Sequence, residues 1–286
     1  MIDLHLHSTH SDGTKSPAEL VQMAKRLNFK AISITDHDTV SGTGEAILEG
    51  DKQGLEVIPG VELSVFNEDL HFHLLGYGID CQDSQLLSGL ERLQISRNER
   101  NDKIMRKLQK LGIKATREDL QSLSGVGQTG RPHIARLLVE QNVVKTIDQA
   151  FTTYLKKDAC AYVPRFIYHV KEAIDLIGDA GGLPVLAHPV QLDRSLKLLP
   201  ELLDDLVSMG LRGLEVYYPT QRGKIRQKLS FLANKYDLLE TGGSDYHGDI
   251  RSGTTMAVGK NMTIPDHLFE KLNQALNYTK NNEIVS

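Results

Sequence analysis

A β-strand pattern opens the segment Ile2-Asp3-Leu4-His5-Leu6-His7-Ser8-Thr9-His10-Ser11-Asp12-Gly13. Its apolar residues stand at every second position, which is the period-two signal of a strand. Side chains two positions apart on a strand point the same way, about 7 Å apart, so His5 and His7 project together. Two such imidazoles can converge on one divalent cation with bonds of about 2.1 Å. An isolated His-x-His is more often two solvent-facing side chains, but the same chemistry recurs beside several later apolar runs.

Length and composition are those of an ordinary globular protein. The 286 residues fit one large α/β domain, or one such domain that carries an insertion. The net charge of −4 gives no sign of a basic surface for duplex DNA, although a nucleotide or a short single strand needs only a few local cations. The two cysteines, Cys81 and Cys160, have no metal or redox spacing.

Targeting signals are absent from the sequence pattern. The first strand lacks the basic region and long apolar run of a signal peptide. No stretch approaches the length of about 18 apolar residues that a membrane span requires. These observations predict a cytoplasmic protein that does not enter a membrane.

Strands and helices alternate over most of the chain. Ser16-Pro17-Ala18-Glu19 predicts a helix start with a capping box, and further helices are expected over residues 42–53 and 170–180. After the first strand, the pattern predicts strands at 31–35, 55–61, 71–77, 183–187, 213–217 and 238–241. This order favours an α/β fold with a mainly parallel sheet or barrel.

Residues 82–162 interrupt the alternation. This part has no convincing strand, and helical patterns cover residues 90–111, 131–140 and 146–155. We therefore predict an inserted α-helical subdomain at 82–162 that caps the substrate, with the main domain formed by 1–81 and 163–286.

The count of about seven strands suits a barrel related to the (β/α)₈ type, whose active site lies at the C-terminal strand ends. Metal-ligand side chains cluster near the predicted C-terminal ends: His5, His7, His37, Glu62, His73, His188, Asp245 and His247. His73 fits least well, because it lies within its predicted strand.

Five ordered motifs resemble those of the PHP (polymerase and histidinol phosphatase) superfamily of metal-dependent phosphoesterases. They are His5-Leu6-His7 with Asp12-Gly13, Thr35-Asp36-His37, Gly60-Val61-Glu62, Ala187-His188-Pro189 and Gly243-Ser244-Asp245-Tyr246-His247. The resemblance extends over nearly the whole chain. It implies a distorted (β/α)₇ TIM-like barrel that holds two or three divalent metals at its C-terminal mouth.

The resemblance also implies which residues bind each metal. The first metal takes His5, His7, Glu62 and Asp245. The second shares Glu62 as a bridge and adds His73 and His188, and the third takes Asp12, His37 and His247. Imidazoles and carboxylates without thiolates suit manganese, which we expect first, and also iron or zinc.

The expected chemistry is hydrolysis of a phosphate ester. Metals about 3.5–4 Å apart can clamp a phosphate and lower the pKa of a bridging water, which then attacks phosphorus as hydroxide. Glu62 is the bridging carboxylate in this scheme. His188, or a metal-bound water, protonates the leaving group, and the sequence leaves the two open.

Several assignments have alternatives. His71 and His73 compete for one ligand position, and we prefer His73 because Leu74-Leu75-Gly76-Tyr77 resembles the segment that follows the family's ligand. Asp12 is a ligand or a turn residue, since Asp-Gly is a common turn pair. Asp36 and Asp38 either orient His37 or cap their loop.

The insertion contains one further motif, Gly130-Arg131-Pro132-His133-Ile134-Ala135-Arg136. Pro132 suits a first helical turn, so Arg131 and the free amides of that turn can face an anion. The segment resembles the insertion of the PHP subgroup that acts on nucleoside 3′,5′-bisphosphates and 5′ ends of short RNA. Arg131 and His133 are the candidates for binding the phosphate that is not cleaved, unless the arginines are merely solvated. Arg165 can also reach the site.

The sequence thus predicts a metal-dependent phosphatase or phosphodiesterase for a small nucleotide, and for short single-stranded RNA ends. The alternatives are histidinol-phosphate phosphatase, a metal hydrolase of another bond such as an amide, and a PHP module without catalytic activity. No protein partner is predicted from the sequence.

Overall fold

One curled sheet organises the protein in the computed structural model, which describes residues 1–124, 127–250, 255–257 and 262–283. Within these ranges the sheet has eight strands. They are β1 (Ile2–Leu6), β2 (Ala31–Ile34), β3 (Glu56–Asn67), β4 (Leu70–Tyr77), β5 (Tyr168–His169), β6 (Leu183–Leu186), β7 (Gly213–Tyr217) and β8 (Leu239–Gly242).

The strand order is β1-β2-β3-β4-β6-β7-β8, and the short β5 pairs with β3. β1, β2 and β3 are parallel, as are β6, β7 and β8, whereas β4 runs antiparallel to both of its neighbours. The sheet curls far enough for β1 to meet the segment after β8, where His7 N–H donates to the Tyr246 carbonyl at 3.0 Å. The predicted distorted barrel is confirmed.

Helices cover the outside of the sheet and build the insertion. They are α1 (Pro17–Arg26), α2 (Thr43–Gln53), α3 (Ser84–Lys110), α4 (Arg117–Ser124), α5 (Arg131–Glu140), α6 (Ile147–Ala150), α7 (Val170–Asp179), α8 (Pro189–Leu192), α9 (Leu199–Ser208), α10 (Lys224–Lys235) and α11 (His267–Glu283). A π-helical turn (Phe151–Leu155) follows α6, and a 3₁₀ turn (Gly248–Ile250) follows β8. The expected capping box of α1 forms, with Ser16 N–H donating to Glu19 Oε2 at 2.7 Å.

Helix α3 connects the barrel to the insertion. Its first turns place Leu86, Leu90 and Leu93 in an apolar cluster with β3, β4 and α7. Its last turns place Ile104 and Leu108 in a separate cluster that α4 and α5 complete. The described parts of 82–162 contain no strand. The boundaries of the inserted subdomain remain a prediction.

The expected end of the third strand at Val61 is wrong, and the difference matters for the site. β3 continues to Asn67 and turns through Glu68 (φ 51°) into antiparallel β4. Because β4 runs the opposite way, its first half lies at the C-terminal ends of the parallel strands. His73, paired with Ser64 of β3, therefore reaches the mouth although it lies inside a strand.

None of the described helices combines the length and the apolar composition needed to cross a membrane.

Candidate metal centre

The two histidines of β1 meet below the mouth of the barrel. Their side chains are fully buried, and His5 Nε2 lies 3.2 Å from His7 Nε2. Two ligands held by one tetrahedral ion with bonds of about 2.1 Å are separated by about 3.4 Å. The two imidazoles thus have the spacing of neighbouring ligands on one cation.

Glu62 and Asp245 complete the first predicted set. Glu62 Oε2 lies 3.3 Å from His5 Nε2 and 3.1 Å from His7 Nε2. Asp245 Oδ1 lies 3.5 Å and 3.2 Å from the same two nitrogens. One ligand atom from each of the four residues lies within 4.8 Å of the others.

The other carboxylate oxygen of Glu62 faces the second predicted set. Glu62 Oε1 lies 2.8 Å from His73 Nδ1 and 3.0 Å from His188 Nε2. These two nitrogens are 3.3 Å apart. His71, in contrast, is exposed, so the geometry favours His73 over His71.

The third predicted set lies on the other side of His7. Asp12 Oδ1 is 3.3 Å from His247 Nε2 and 3.8 Å from His7 Nδ1, and His37 completes the group. His37 also lies close to the second set, with Nδ1 only 3.1 Å from Glu62 Oε2. The structure therefore brings all nine predicted ligands together, with His37 between two of the sets.

Unpaired polar atoms are concentrated in this cluster. Among the described residues, the buried side-chain atoms without a hydrogen-bond partner include Asp12 Oδ1, His37 Nδ1, Glu62 Oε2 and His247 Nε2. Buried nitrogen and oxygen atoms normally have a partner, so four unpartnered atoms in one place fit the binding of a cation there. Imidazole nitrogens and carboxylate oxygens are suitable donors for divalent transition metals.

Mutual electrostatics perturb the titration of these groups. Burial alone would raise the pKa of Glu62, but His37, His73 and His5 hold this pKa well below its usual range. Burial opposes the charged form of His7 as well, yet Asp245 and Glu62 raise the pKa of His7 to about 9. Burial lowers the pKa of His37 to about 3.

The backbone is strained at two of the predicted ligands and at one residue next to a ligand. His188 (φ 26°), Asp245 (φ 53°) and Asp38 (φ 55°) occupy the left-handed region that non-glycine residues rarely adopt. Such outliers persist only where the surroundings enforce them, and they concentrate at functional sites. Gly243 is required for close approach, since a Cβ there would lie 2.1 Å from His5 Cβ.

Asp36 and Asp38 make different contacts. Asp36 accepts hydrogen bonds from Ser8 N–H (2.7 Å) and from the hydroxyls of Ser8 and Ser11 (2.5 Å each). Asp38 pairs with Arg97 of α3 and with Arg165 of the chain that leaves the insertion. Asp38 thereby anchors the insertion beside His37.

Two supporting residues were missed by sequence reasoning. Glu215 of β7 is fully buried and contacts both His5 and the backbone of His188. The Tyr218 hydroxyl donates to Asp245 Oδ2 at 2.8 Å. Glu215 interrupts the buried apolar run Gly-Leu-Glu-Val-Tyr, and a carboxylate at such a position is rarely unpaired, which was the available signal.

A cavity of about 340 Å³ joins the second set to the insertion. His73 and His188 line it from the barrel, and Arg100, Arg131 and Arg165 line it from the insertion and its return. Of the two candidate phosphate-binding residues in the insertion, Arg131 lines this cavity. His133 lies outside this cavity lining, and its Nδ1 accepts the Gly130 N–H at the start of α5 (3.1 Å).

Comparison with known proteins identifies the family. Residues 3–162 match the model of the PHP domain, which is more than half of the chain. The chain belongs to the PHP family. The match covers the segments of His5, His37, Glu62 and His73, whereas His188, Asp245 and His247 follow it.

Relatives with full-length similarity act on phosphate esters. The PHP chain is 33% identical over 264 residues to a 5′-3′ exoribonuclease of Haemophilus influenzae, spanning 92% of this chain and 95% of that protein. It is 30% identical over 253 residues to a 3′,5′-nucleoside bisphosphate phosphatase of Chromobacterium violaceum, spanning 88% and 89%.

A solved structure from Bifidobacterium adolescentis, named as a candidate metal-dependent phosphoesterase, superposes with a TM-score of 0.86. It has 32% identity and covers 95% of this chain and 94% of that one. The PHP chain is accordingly a metal-dependent phosphoesterase.

Proposed function

We propose that this PHP enzyme hydrolyses a phosphate monoester of a nucleoside 3′,5′-bisphosphate and also removes nucleotides from the 5′ end of short RNA. The observation that carries the proposal is the arginine group of the cavity, formed by Arg100, Arg131 and Arg165. The same cavity is lined by His73 and His188, so a substrate in it would meet both cations and metal-ligand side chains.

Arg100 is the strongest sign of an anion site. Its side chain is 4% exposed, and its Nη2 has no hydrogen-bond partner among the described residues. Burial lowers the pKa of Arg100 well below its usual range, and the nearby Arg97, Arg131 and Arg165 lower it further. A second phosphate would supply the counter-charge and the charge-assisted hydrogen bond that the Arg100 guanidinium lacks.

We assign the ligand roles as the sequence predicted them: His5, His7, Glu62 and Asp245; Glu62, His73 and His188; and Asp12, His37 and His247. Divalent ions held there, with manganese expected first, would neutralise charge on the scissile phosphate and activate water. One carboxylate oxygen of Glu62 faces the first ligand set and the other faces the second, so Glu62 would set the distance between these two sets. His188 Nε2 points at Glu62 and His73, which favours a ligand role over free proton donation.

The names of the relatives from Haemophilus influenzae and Chromobacterium violaceum support both substrate types. A nucleoside bisphosphate and a 5′-phosphorylated RNA end share one feature, a phosphate group at one nucleotide spacing from the bond to be cleaved. Histidinol phosphate has no second phosphate and would leave the buried Nη2 of Arg100 without an anionic partner.

The test is phosphate or nucleotide release by protein reconstituted with Mn²⁺. The panel contains adenosine 3′,5′-bisphosphate, adenosine 3′-monophosphate, adenosine 5′-monophosphate, histidinol phosphate and a short 5′-phosphorylated RNA. Arg131→Ala is compared with Arg136→Ala, because Arg136 lies on the same helix but pairs with Glu140 in solvent. We expect Arg131→Ala to lower kcat/KM for the bisphosphate about 10–100-fold, since a hydrogen bond to a charged group contributes about 1.5–3 kcal/mol.

Both monophosphates should be poorer substrates and insensitive to Arg131→Ala, and Arg136→Ala should resemble wild type throughout. A preference for histidinol phosphate would contradict the assigned role of the insertion. Equal rates on the bisphosphate and the monophosphates would contradict the second phosphate site. Absence of release from every compound, with metal bound, would overturn the substrate proposal as a whole.

A further inference from the structure

Glu215 touches two of the proposed metal sets at once. Its side chain is fully buried at the middle of β7. Oε1 lies 3.0 Å from Nδ1 of His5, which belongs to the first set. Oε2 accepts the backbone N–H of His188, which belongs to the second set, at 2.6 Å.

The contact with His5 fixes the position of the ring proton. A neutral imidazole has one N–H donor and one acceptor nitrogen, and an ionised carboxylate can only accept. In the neutral form that binds a metal, the proton of His5 would therefore lie on Nδ1, 3.0 Å from Glu215 Oε1. This leaves the lone pair of Nε2 facing His7, Glu62 and Asp245, at 3.2, 3.3 and 3.5 Å.

The contact with His188 supports a strained backbone. His188 has φ 26° and ψ 58° at the turn from β6 into α8. Its N–H would be an unsatisfied buried donor without Oε2 of Glu215, and an unmet donor of this kind is costly. Held in this conformation, His188 presents Nε2 to Glu62 Oε1 at 3.0 Å.

Glu215 is itself held rigidly. The side-chain amide of Gln221, also fully buried, donates to the carbonyls of Glu215 (2.8 Å) and Val216 (3.1 Å). These hydrogen bonds tie the backbone at Glu215 and Val216 to Gln221, while the two carboxylate oxygens of Glu215 contact His5 and His188.

We propose that Glu215 is a positioning residue that prepares the first and second metal sets together, by setting the tautomer of His5 and the backbone conformation of His188. This inference rests on the metal assignments proposed above, but it is independent of the identity of the substrate. Carboxylates beyond the ligands commonly orient metal-binding histidines, and their loss typically costs about 10–100-fold in metal affinity.

Glu215→Gln tests the proposal with almost no change in shape. Both partners of Glu215 are donors, and a carboxamide has only one accepting atom. In the variant, the amide NH₂ must face either His188 N–H or His5. If it faces His5, the ring must accept at Nδ1 and carry its proton on Nε2, where the metal would bind.

The measurement is metal content and competition affinity for Mn²⁺ and Zn²⁺ in the full-length protein. Glu215→Gln should bind metal about 10–100-fold more weakly than wild type. The matched control is Glu240→Gln, because Glu240 lies on the adjacent β8 and pairs with Ser230 rather than with the site. The control should bind as wild type does. Wild-type affinity in Glu215→Gln would overturn the proposal.

Two further readouts separate positioning from a merely structural role. The melting temperature of metal-free Glu215→Gln should stay near that of metal-free wild type, and a large loss of stability with unchanged metal affinity would contradict the proposal. The ¹⁵N spectrum of histidine-labelled, zinc-loaded wild type should show the His5 proton on Nδ1. A His5 ring bound to metal through Nδ1 would overturn the proposal even if the variant did not fold.

These outcomes are distinguishable from failure of the substrate proposal. Weak metal binding by Glu215→Gln together with no preference for the bisphosphate would overturn the substrate assignment alone. Normal metal binding by Glu215→Gln together with that preference would overturn the role of Glu215 alone.

Discussion

At the scale of single residues, His7 illustrates how the site depends on charge balance. Its Nε2 lies 3.1 Å from Glu62 Oε2 and 3.2 Å from Asp245 Oδ1, and its Nδ1 faces Asp12 on the other side. In the metal-free protein a proton on His7 balances the negative charge of these carboxylates. Asp245 and Glu62 raise the pKa of His7 to about 9 against the opposing effect of burial. A metal must therefore displace a proton from His7.

The first prediction is that metal binding near pH 7.5 releases protons and becomes tighter as the pH rises toward 9. The folded pKa of His7 lies above the unfolded value of 6.5, so protonated His7 stabilises the metal-free protein below about pH 6.5. That contribution is lost as the pH rises through about 9, and competition between proton and metal disappears with it. Calorimetry in buffers of different ionisation enthalpy measures the protons released. Binding without proton release at pH 7.5 would be evidence against this charge balance.

Sequence reasoning named the nine residues that cluster at the mouth of the barrel, but it did not name the residues that contact them from behind. His5 and His7 were predictable because strand periodicity alone places them on one face. Glu215 was not, because its importance depends on contact with His5 across 210 positions of the chain. Arg100 was not either, since an arginine on a polar helix is ordinarily solvated, whereas this one is 4% exposed in the folded protein.

At the scale of elements, Asp38 links the loop after β2 to the insertion. Its carboxylate pairs with Arg97 of α3 and with Arg165 at 2.9 Å, and its backbone carbonyl accepts from Gln94 and Gln128. Burial alone would raise the pKa of Asp38, but Arg165 and Arg97 hold it far below its usual range. Its contribution to stability is therefore present above the unfolded pKa of about 3.8 and is lost as the pH falls further.

The second prediction concerns Asp38→Asn. Removing one partner of a buried ion pair leaves an uncompensated charge and costs about 3–5 kcal/mol. Here it leaves two largely buried guanidinium groups, with side chains 11% and 10% exposed, beside the metal centre. We expect a loss of this size in the free energy of unfolding, measured by urea denaturation of the metal-loaded protein.

The control is Asp175→Asn, which removes a pair with Lys171 on the exposed face of α7. Exposed pairs contribute about 0–1 kcal/mol, so the control should remain close to wild type. If both variants lost the same small amount, Asp38 would not be the anchor of the insertion.

Strand lengths were the least predictable part of the fold. Glu62 looked like the end of a strand because a charged residue normally leaves the core. It lies inside β3 because the mouth of the barrel supplies five imidazoles as partners, a property of the assembled sheet. The antiparallel direction of β4 follows from the turn at Glu68 and Asp69, a two-residue connection that the sequence alone did not distinguish from a longer one.

At the scale of the whole molecule, the barrel and the insertion contribute different chemistry to one cavity. The barrel brings the nine predicted ligands to its mouth from β1, β3, β4 and the segments that follow β1, β2, β6 and β8. The insertion and its return bring guanidinium groups to the cavity that His73 and His188 also line. We propose that the barrel supplies the metal ligands and that the insertion supplies the residues that select the substrate.

Metals bound by this cluster should be required for phosphate release from a nucleoside bisphosphate. The most direct measurement is the rate of phosphate release from adenosine 3′,5′-bisphosphate by chelator-stripped protein titrated with Mn²⁺. We predict no release from stripped protein and a rise to a plateau once two or three equivalents are bound. Release at the full rate without metal, or no release from protein with its sites filled, would contradict the claim.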